Sequence, residues 1–262
     1  MEEQPVLIAE SDSVLILTLN RPKKLNAMSR QMITEIGAAV DMFRDRVDLR
    51  VILIRSTGRY FCAGADLTDF SMPDFGDSTS LVRTWYRTAM SGTQRIWDEL
   101  EAIEKPSVVA HHAMCVGGGL EMSLSCDFRL AAASAGYSFP EAKLGALPAS
   151  GGVSRLTRTV GPHWARWLIL ANMPITAEAA LSMGLVHQIY PDNEFDEQTM
   201  KFCRHLAAQP REMMALSKVS IELAADVQAA QARNVERLAN SILVTGREHE
   251  EMVGAMRARL TR

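Results

Sequence analysis

Cysteine is scarce in this sequence of 262 residues: Cys62, Cys115, Cys126 and Cys203 are the only four, and none stands in CxxC spacing. That pattern offers neither a zinc knuckle nor a disulfide framework. Free, mostly buried thiols are expected, which suits a reducing compartment, and the chain is read as cytoplasmic. No charge of one sign dominates, with 28 Lys and Arg against 31 Asp and Glu and a formal net charge of −3. Bulk electrostatics therefore give no reason to expect nucleic-acid binding. No uncharged apolar run approaches the roughly eighteen residues of a membrane span. The opening MEEQPVLIAE is acidic and lacks the apolar segment of a signal peptide. The six histidines form no HExxH pattern, and there is no GxSxG elbow and no phosphate-binding glycine loop. No metal site is expected and no separate cofactor.

What is present is ordinary for a soluble domain: 47% hydrophobic and 23% charged residues. The length suffices for one large core, or a core with a helical appendage. Residues 6–9 and 14–19 read as strands joined by the polar turn Ser11-Asp12-Ser13. Ser29 is placed to cap a helix through about residue 47, with Met32, Ile33, Ile36, Val40 and Phe43 at helical spacing. The apolar run Val51-Ile52-Leu53-Ile54 reads as a strand covered on both faces. A long helix over 81–100, a strand at 107–110, a helix opened by glycines and a strand at 128–131 repeat the alternation, which predicts an α/β fold. Beyond about residue 155 helices dominate: 164–171, 176–183, 195–207, 210–224 and one long segment over 226–257, with a single strand at 186–189. The stretch DFSMPDFGDSTS at 69–80, with Phe70, Met72 and Phe75, reads either as a mobile lid or as an anchored surface loop.

Two glutamates concentrate the chemistry. Glu121 follows Gly117-Gly118-Gly119 in the first turn of a helix, and Glu141 follows Pro140 in a glycine- and proline-rich loop. Alone, the first is a helix-end charge and the second a solvated loop residue. The first amides of a helix lack internal partners, and glycine lets a ligand oxygen approach them, so Gly118 N–H is a candidate oxyanion donor. The small-residue segment Phe61-Cys62-Ala63-Gly64-Ala65-Asp66 follows a strand in the same way and can lie beside the glycines.

Taken in order and spacing, these pieces resemble the crotonase superfamily of enoyl-CoA hydratases and isomerases. The resemblance spans nearly the whole chain. Its pieces are Arg21-Pro22-Lys23-Lys24-Leu25-Asn26-Ala27-Met28, FCAGADL at 61–67, GGGLEMSLSCD at 117–127 and FPEAKLGALPASGGVSRLTRTVG at 139–161. It continues through Ile175 to Ala180 and Gly184-Leu185-Val186.

The resemblance implies a spiral of strand–strand–helix units over residues 1–190 and a helical trimerisation region over 191–262, giving homotrimers or hexamers. It implies an acyl-CoA substrate, coenzyme A being part of the substrate. It gives Ala65 and Gly118 as the backbone oxyanion donors and Glu121 and Glu141 as the catalytic pair, with Glu141 taking the larger share of proton transfer. It places the CoA portion and adjoining acyl group along Lys24, Leu25, Ala63, Asp66, Leu67, Gly117 and Pro140. Lys24 is placed to meet a phosphate, a solvated lysine being the alternative. Trp85 and Tyr86 are read as core residues rather than walls of an acyl pocket. His112 departs from the family pattern and is read as structural. The expected activity is hydration of a 2-enoyl-CoA. An isomerase needing Glu141 alone, an acyl-CoA hydrolase or decarboxylase, and a non-catalytic scaffold are the alternatives.

Overall fold

A computed structural model describes residues 4–69 and 73–260, and Phe70 and Met72 of the 69–80 stretch, read as either lid or anchored loop, lie outside them. The chain opens with the hairpin β1 (Val6–Ser11) and β2 (Val14–Leu19), followed by α1 (Arg30–Asp45) and β3 (Val51–Ser56). Three strand–strand–helix turns follow. The first is β3, β4 (Tyr60–Cys62), then α2 (Thr79–Trp85) and α3 (Ser91–Ala102), joined by a π-helical stretch, Tyr86–Met90. The second is β5 (Ser107–His111), β6 (Met114–Val116) and α4 (Gly118–Leu124). The third is β7 (Phe128–Ala132), β8 (Gly136–Ser138), a 3-10 turn at Pro140–Leu144 and α5 (Gly152–Ile169).

Each turn contributes its first strand to one sheet and its second to another. The large sheet runs β1-β2-β3-β5-β7-β10, where β10 is Gln188–Tyr190, and is parallel except for the first hairpin. The small sheet runs β4-β6-β8-β9, where β9 is Ile175–Thr176. The short helix α6 (Ala177–Ser182) links β9 to β10, and α7 (Phe195–Ala207), α8 (Arg211–Asp226), α9 (Ala229–Val244) and α10 (Arg247–Leu260) end the chain.

The β3 run is buried at all four apolar positions, as a strand covered on both faces requires. Its period of two sorts them: Ile52 and Ile54 join the main core with Leu15, Leu17 and Phe43, while Val51 and Leu53 join a second cluster with Val14 and Ile16. Helix α7 closes that second face with Phe195, Cys203 and Leu206. On the first face α1 buries Met32, Ile36, Val40 and Phe43, and the Ser29 hydroxyl caps it by accepting Met32 N–H at 3.2 Å. All four cysteines are buried and free. No helix of the described residues is long and apolar enough to cross a membrane.

Several elements differ from expectation. The segment 226–257 is two helices rather than one, because the chain breaks at Thr245-Gly246 between α9 and α10. Helix α5 begins at Gly152, twelve residues before the expected 164, and bends at Gly161, whose φ of 73° is non-helical. The small sheet's strands β4, β6 and β8 have three residues each, too few to show a period of two.

Candidate active site

The small sheet brings the sequence motifs together. Strands β4, β6 and β8 are parallel neighbours, with Tyr60 paired to Met114, Cys115 to Tyr137 and Val116 to Ser138. From their carboxyl ends leave, in order, Ala63 to Asp66, Gly117 to Glu121 and Pro140 to Glu141. Ligands gather beyond that edge of a parallel sheet. A cavity of about 390 Å³ opens there, lined by Ala63, Ala65, Leu67, Gly117, Gly118, Glu121, Pro140 and Glu141.

Two main-chain nitrogens, of Ala65 and Gly118, lie close together at its wall. A methyl on Gly118 would lie 3.7 Å from Ala65 N, and one on Gly64 would lie 3.6 Å from Gly118 N. Among the described residues neither Ala65 nor Gly118 donates its N–H to a backbone or side-chain acceptor. Gly117 turns the chain into α4 with φ 50° and ψ −122°, a conformation suited to glycine. A β-carbon there would press within 2.6 Å of Glu141 Oε1, so the carboxylate rests directly on the glycine run.

The two carboxylates are held differently. Glu121 is buried, and its Oε1 accepts Ser150 N–H at 2.6 Å and Gly152 N–H at 3.2 Å. Burial pushes its pKa up to about 7, the two amides opposing and the Glu141 charge adding to the rise. Glu141 is half-buried, and burial raises its pKa as well. Its Oε2 is shielded from solvent with no hydrogen-bond partner among the described residues. The pair thus combines one carboxyl fixed by main-chain amides with one that has an oxygen to spare.

A family model described as enoyl-CoA hydratase/isomerase matches residues 9–253. The chain belongs to that family. It is 31% identical over 225 residues to a probable mitochondrial enoyl-CoA hydratase of Dictyostelium discoideum, covering 85% of this chain and 76% of that one. It is 28% identical to a crotonyl-CoA hydratase of Syntrophomonas wolfei over 96% of this chain and 94% of the relative. The crystal structure of an enoyl-CoA hydratase subunit from Geobacillus kaustophilus superposes with a TM-score of 0.89 at 31% identity, covering 99% of this chain and 97% of the other. The spiral of strand–strand–helix units is therefore the crotonase fold, and the helical C-terminal region is part of it.

Not every residue that the family pattern singles out lies on the cavity. Lys24 is exposed and rims a neighbouring depression of about 510 Å³ with Arg21, Lys23 and Arg30. Asp66 faces the same depression, but its carboxylate accepts from the Thr68 hydroxyl at 2.6 Å and from Arg21 at 3.0 Å. Thr68 and then Arg21 hold its pKa below the usual range against the effect of burial. Leu25 stands behind the 63–66 segment, its carbonyl accepting Ala63 N–H at 3.0 Å.

Trp85 and Tyr86 correct the sequence reading: they line the cavity with Met90, Thr93 and Trp97 rather than filling the core. Phe75, in the described part of the 69–80 stretch, sits against Trp85 with ring centroids 6.1 Å apart. His112 lies outside the cavity lining, its Nε2 paired with Gly58 O at 2.6 Å. His111 is fully buried between Phe61 and Tyr137, its Nε2 paired with the Ser123 hydroxyl at 2.8 Å, and burial lowers its pKa to about 3.

Sequence reasoning gave no role to Ser150 and Gly152, which hold Glu121. Their signal was the Gly151-Gly152 pair: a β-carbon on Gly152 would meet Glu121 Cγ at 2.9 Å. It also gave none to Arg129, a buried guanidinium that donates to the carbonyls of Leu185, Cys126 and Ser123 at 2.7, 2.6 and 3.3 Å, tying down the end of α4.

Proposed function

We propose that this protein hydrates a 2-enoyl-CoA thioester, reversibly, by syn addition of water. One observation carries the reading: two carboxylates and two amides without internal partners converge on one cavity. In this reading the thioester oxygen accepts hydrogen bonds from Ala65 N–H and Gly118 N–H. Adding water at C3 moves negative charge onto that oxygen, and each donor contributes about 3–4 kcal/mol of transition-state stabilisation.

The carboxyl pair handles the protons. With burial raising both groups, the pair is suited to hold one proton near neutral pH, so that one member is a base and the other an acid. Water forms its C–O bond at C3 and gives a proton to the ionised member; the protonated member gives its proton to C2. The pair ends with the proton count it began with. Glu121, fixed by Ser150 and Gly152, orients the water, and Glu141 carries the larger share of proton transfer. Trp85, Tyr86 and Trp97 wall the acyl side. Lys24, Leu25 and Asp66 belong to the CoA side, toward the basic depression.

Turnover of crotonyl-CoA, followed by loss of enoyl absorbance, tests this. Glu121→Gln and Glu141→Gln should each lower kcat by at least about 100-fold. An isomerase would keep most of its double-bond transfer in Glu121→Gln, and a scaffold would bind acyl-CoA without turnover; either result refutes the hydratase reading. We also infer a trimer or a dimer of trimers, since α8, α9 and α10 expose Ile221, Leu238, Ile242 and Leu260 to solvent in the single chain. Light scattering reads the assembly directly.

A further inference from the structure

Of the motif Arg21 to Met28 only Met28 lines the cavity, yet the motif holds a fully buried asparagine. Asn26 has φ 54°, a left-handed conformation that asparagine tolerates better than most residues. Its Oδ1 accepts Arg21 N–H at 2.7 Å, and its Nδ2 donates to Thr57 O at 2.6 Å and Tyr60 O at 3.0 Å. The side chain thus pins the 21–28 segment to the connection between β3 and β4. Its own carbonyl accepts the Cys62 thiol at 3.1 Å, and Cys62 Sγ in turn accepts Gly64 N–H at 3.4 Å.

The 25–28 segment then runs beside 63–66. Ala63 N–H donates to Leu25 O at 3.0 Å, Met28 N–H to Gly64 O at 2.8 Å and Asp66 N–H to Met28 O at 2.9 Å. These bonds consume the amides of Ala63, Gly64 and Asp66 and leave that of Ala65 among them without an acceptor in the described residues. Cys62 also abuts the other donor's helix: a β-carbon on Gly119 would lie 2.6 Å from Cys62 Cβ. Asn26 and Cys62 therefore bind together both segments that carry the two unpartnered amides.

We propose that Asn26, acting with Cys62, is a positioning residue that sets the aim of Ala65 N–H relative to Gly118 N–H, and so the polarisation of the bound thioester carbonyl. This rests on the reading of those amides as the oxyanion site. The alternative is a staple that contributes stability alone, and carbonyl polarisation separates the two. The probe is 4-dimethylaminocinnamoyl-CoA, whose absorption moves to the red when its carbonyl is polarised, read beside kcat and KM on crotonyl-CoA.

The wild-type protein should shift the probe to the red. Cys62→Ala, and Asn26→Gly, which keeps the left-handed φ, should lose at least half of that shift. Their kcat should fall about tenfold or more, because a small misplacement of a donor is costly, while KM stays within about threefold. Cys62→Ser, which keeps a donor and an acceptor at the same place, should restore most of both. A folded Cys62→Ala with wild-type shift and kcat overturns the proposal, whether or not Asn26→Gly folds. A wild-type protein that binds the probe without any red shift overturns the oxyanion reading itself.

Discussion

Replacing Glu121 by Gln should make the protein more stable at pH 8 while lowering kcat in the proposed hydration by at least about 100-fold. In the folded state burial raises the Glu121 pKa to about 7, against an ordinary value of 4.5. The sign follows from proton binding. Below pH 4.5 the carboxyl is protonated in both folded and unfolded chains and contributes no difference. Between pH 4.5 and 7 the unfolded chain releases a proton that the folded one retains, so stability falls as pH rises, and above pH 7 the whole cost is in place. A carboxyl held at about 7 against 4.5 corresponds to about 3 kcal/mol. Loss of a negative charge in the first turn of α4 offsets up to about 1 kcal/mol of the gain, leaving a net stabilisation of about 2–3 kcal/mol. Gln keeps an oxygen for Ser150 N–H and Gly152 N–H, so the two amides remain paired. Urea unfolding at pH 5, 6, 7 and 8 on both proteins gives the difference, in which Glu141 is the carboxylate coupled to the one replaced. If the stability gap between Glu121→Gln and wild type does not widen from pH 5 to pH 8, the burial of Glu121 is not costing what its surroundings imply, and the acid/base pairing argued from it fails.

Gly117→Ala should lower stability by about 1–3 kcal/mol through its positive φ. It should also cut kcat about 100-fold, since the new methyl displaces the Glu141 carboxylate; retention of full turnover would show that Glu141 need not rest against the glycine run. Arg129→Met removes the donor of three buried carbonyls and should cost about 3 kcal/mol or more in thermal or urea unfolding; a loss under 1 kcal/mol would mean that those carbonyls find other partners. Introducing Leu238→Glu with Ile242→Glu on the exposed face of α9 should reduce the mass seen by light scattering to that of a single chain. An unchanged mass would place the subunit contacts elsewhere.

Much of this arrangement was legible in the residues because the chemistry sits on short motifs in fixed order. Glu121 after three glycines, Glu141 after Pro140 and the small residues at 63–65 could be picked out without coordinates, and the small sheet lines their carriers side by side. The strands that do the lining were not legible. At three residues each, β4, β6 and β8 carry no period, and their pairing is a long-range property. Trp85 and Tyr86 misled for a related reason. Apolar residues at helical spacing mark a face turned away from water, and a substrate cavity satisfies that as well as a core does. Ser150 and Gly152 act through main-chain amides, which no side-chain identity reports, so only the need for a glycine at 152 hinted at the carboxylate pressed against it.

The same geometry explains why the site is expensive to hold in place. The amides of Ser150 and Gly152 oppose but do not cancel the effect of burial on Glu121, so the folded chain carries a carboxyl that would be more stable in water. Arg129 and Asn26 lie outside the cavity lining with their side-chain hydrogen bonds made, and Ser29 caps α1. Stability concentrated in that frame is what allows two carboxyls with raised pKa values and two unpaired amides to persist in one cavity. A chain that paired those amides internally would fold more tightly and would have no free main-chain donor left to offer a ligand oxygen in that cavity.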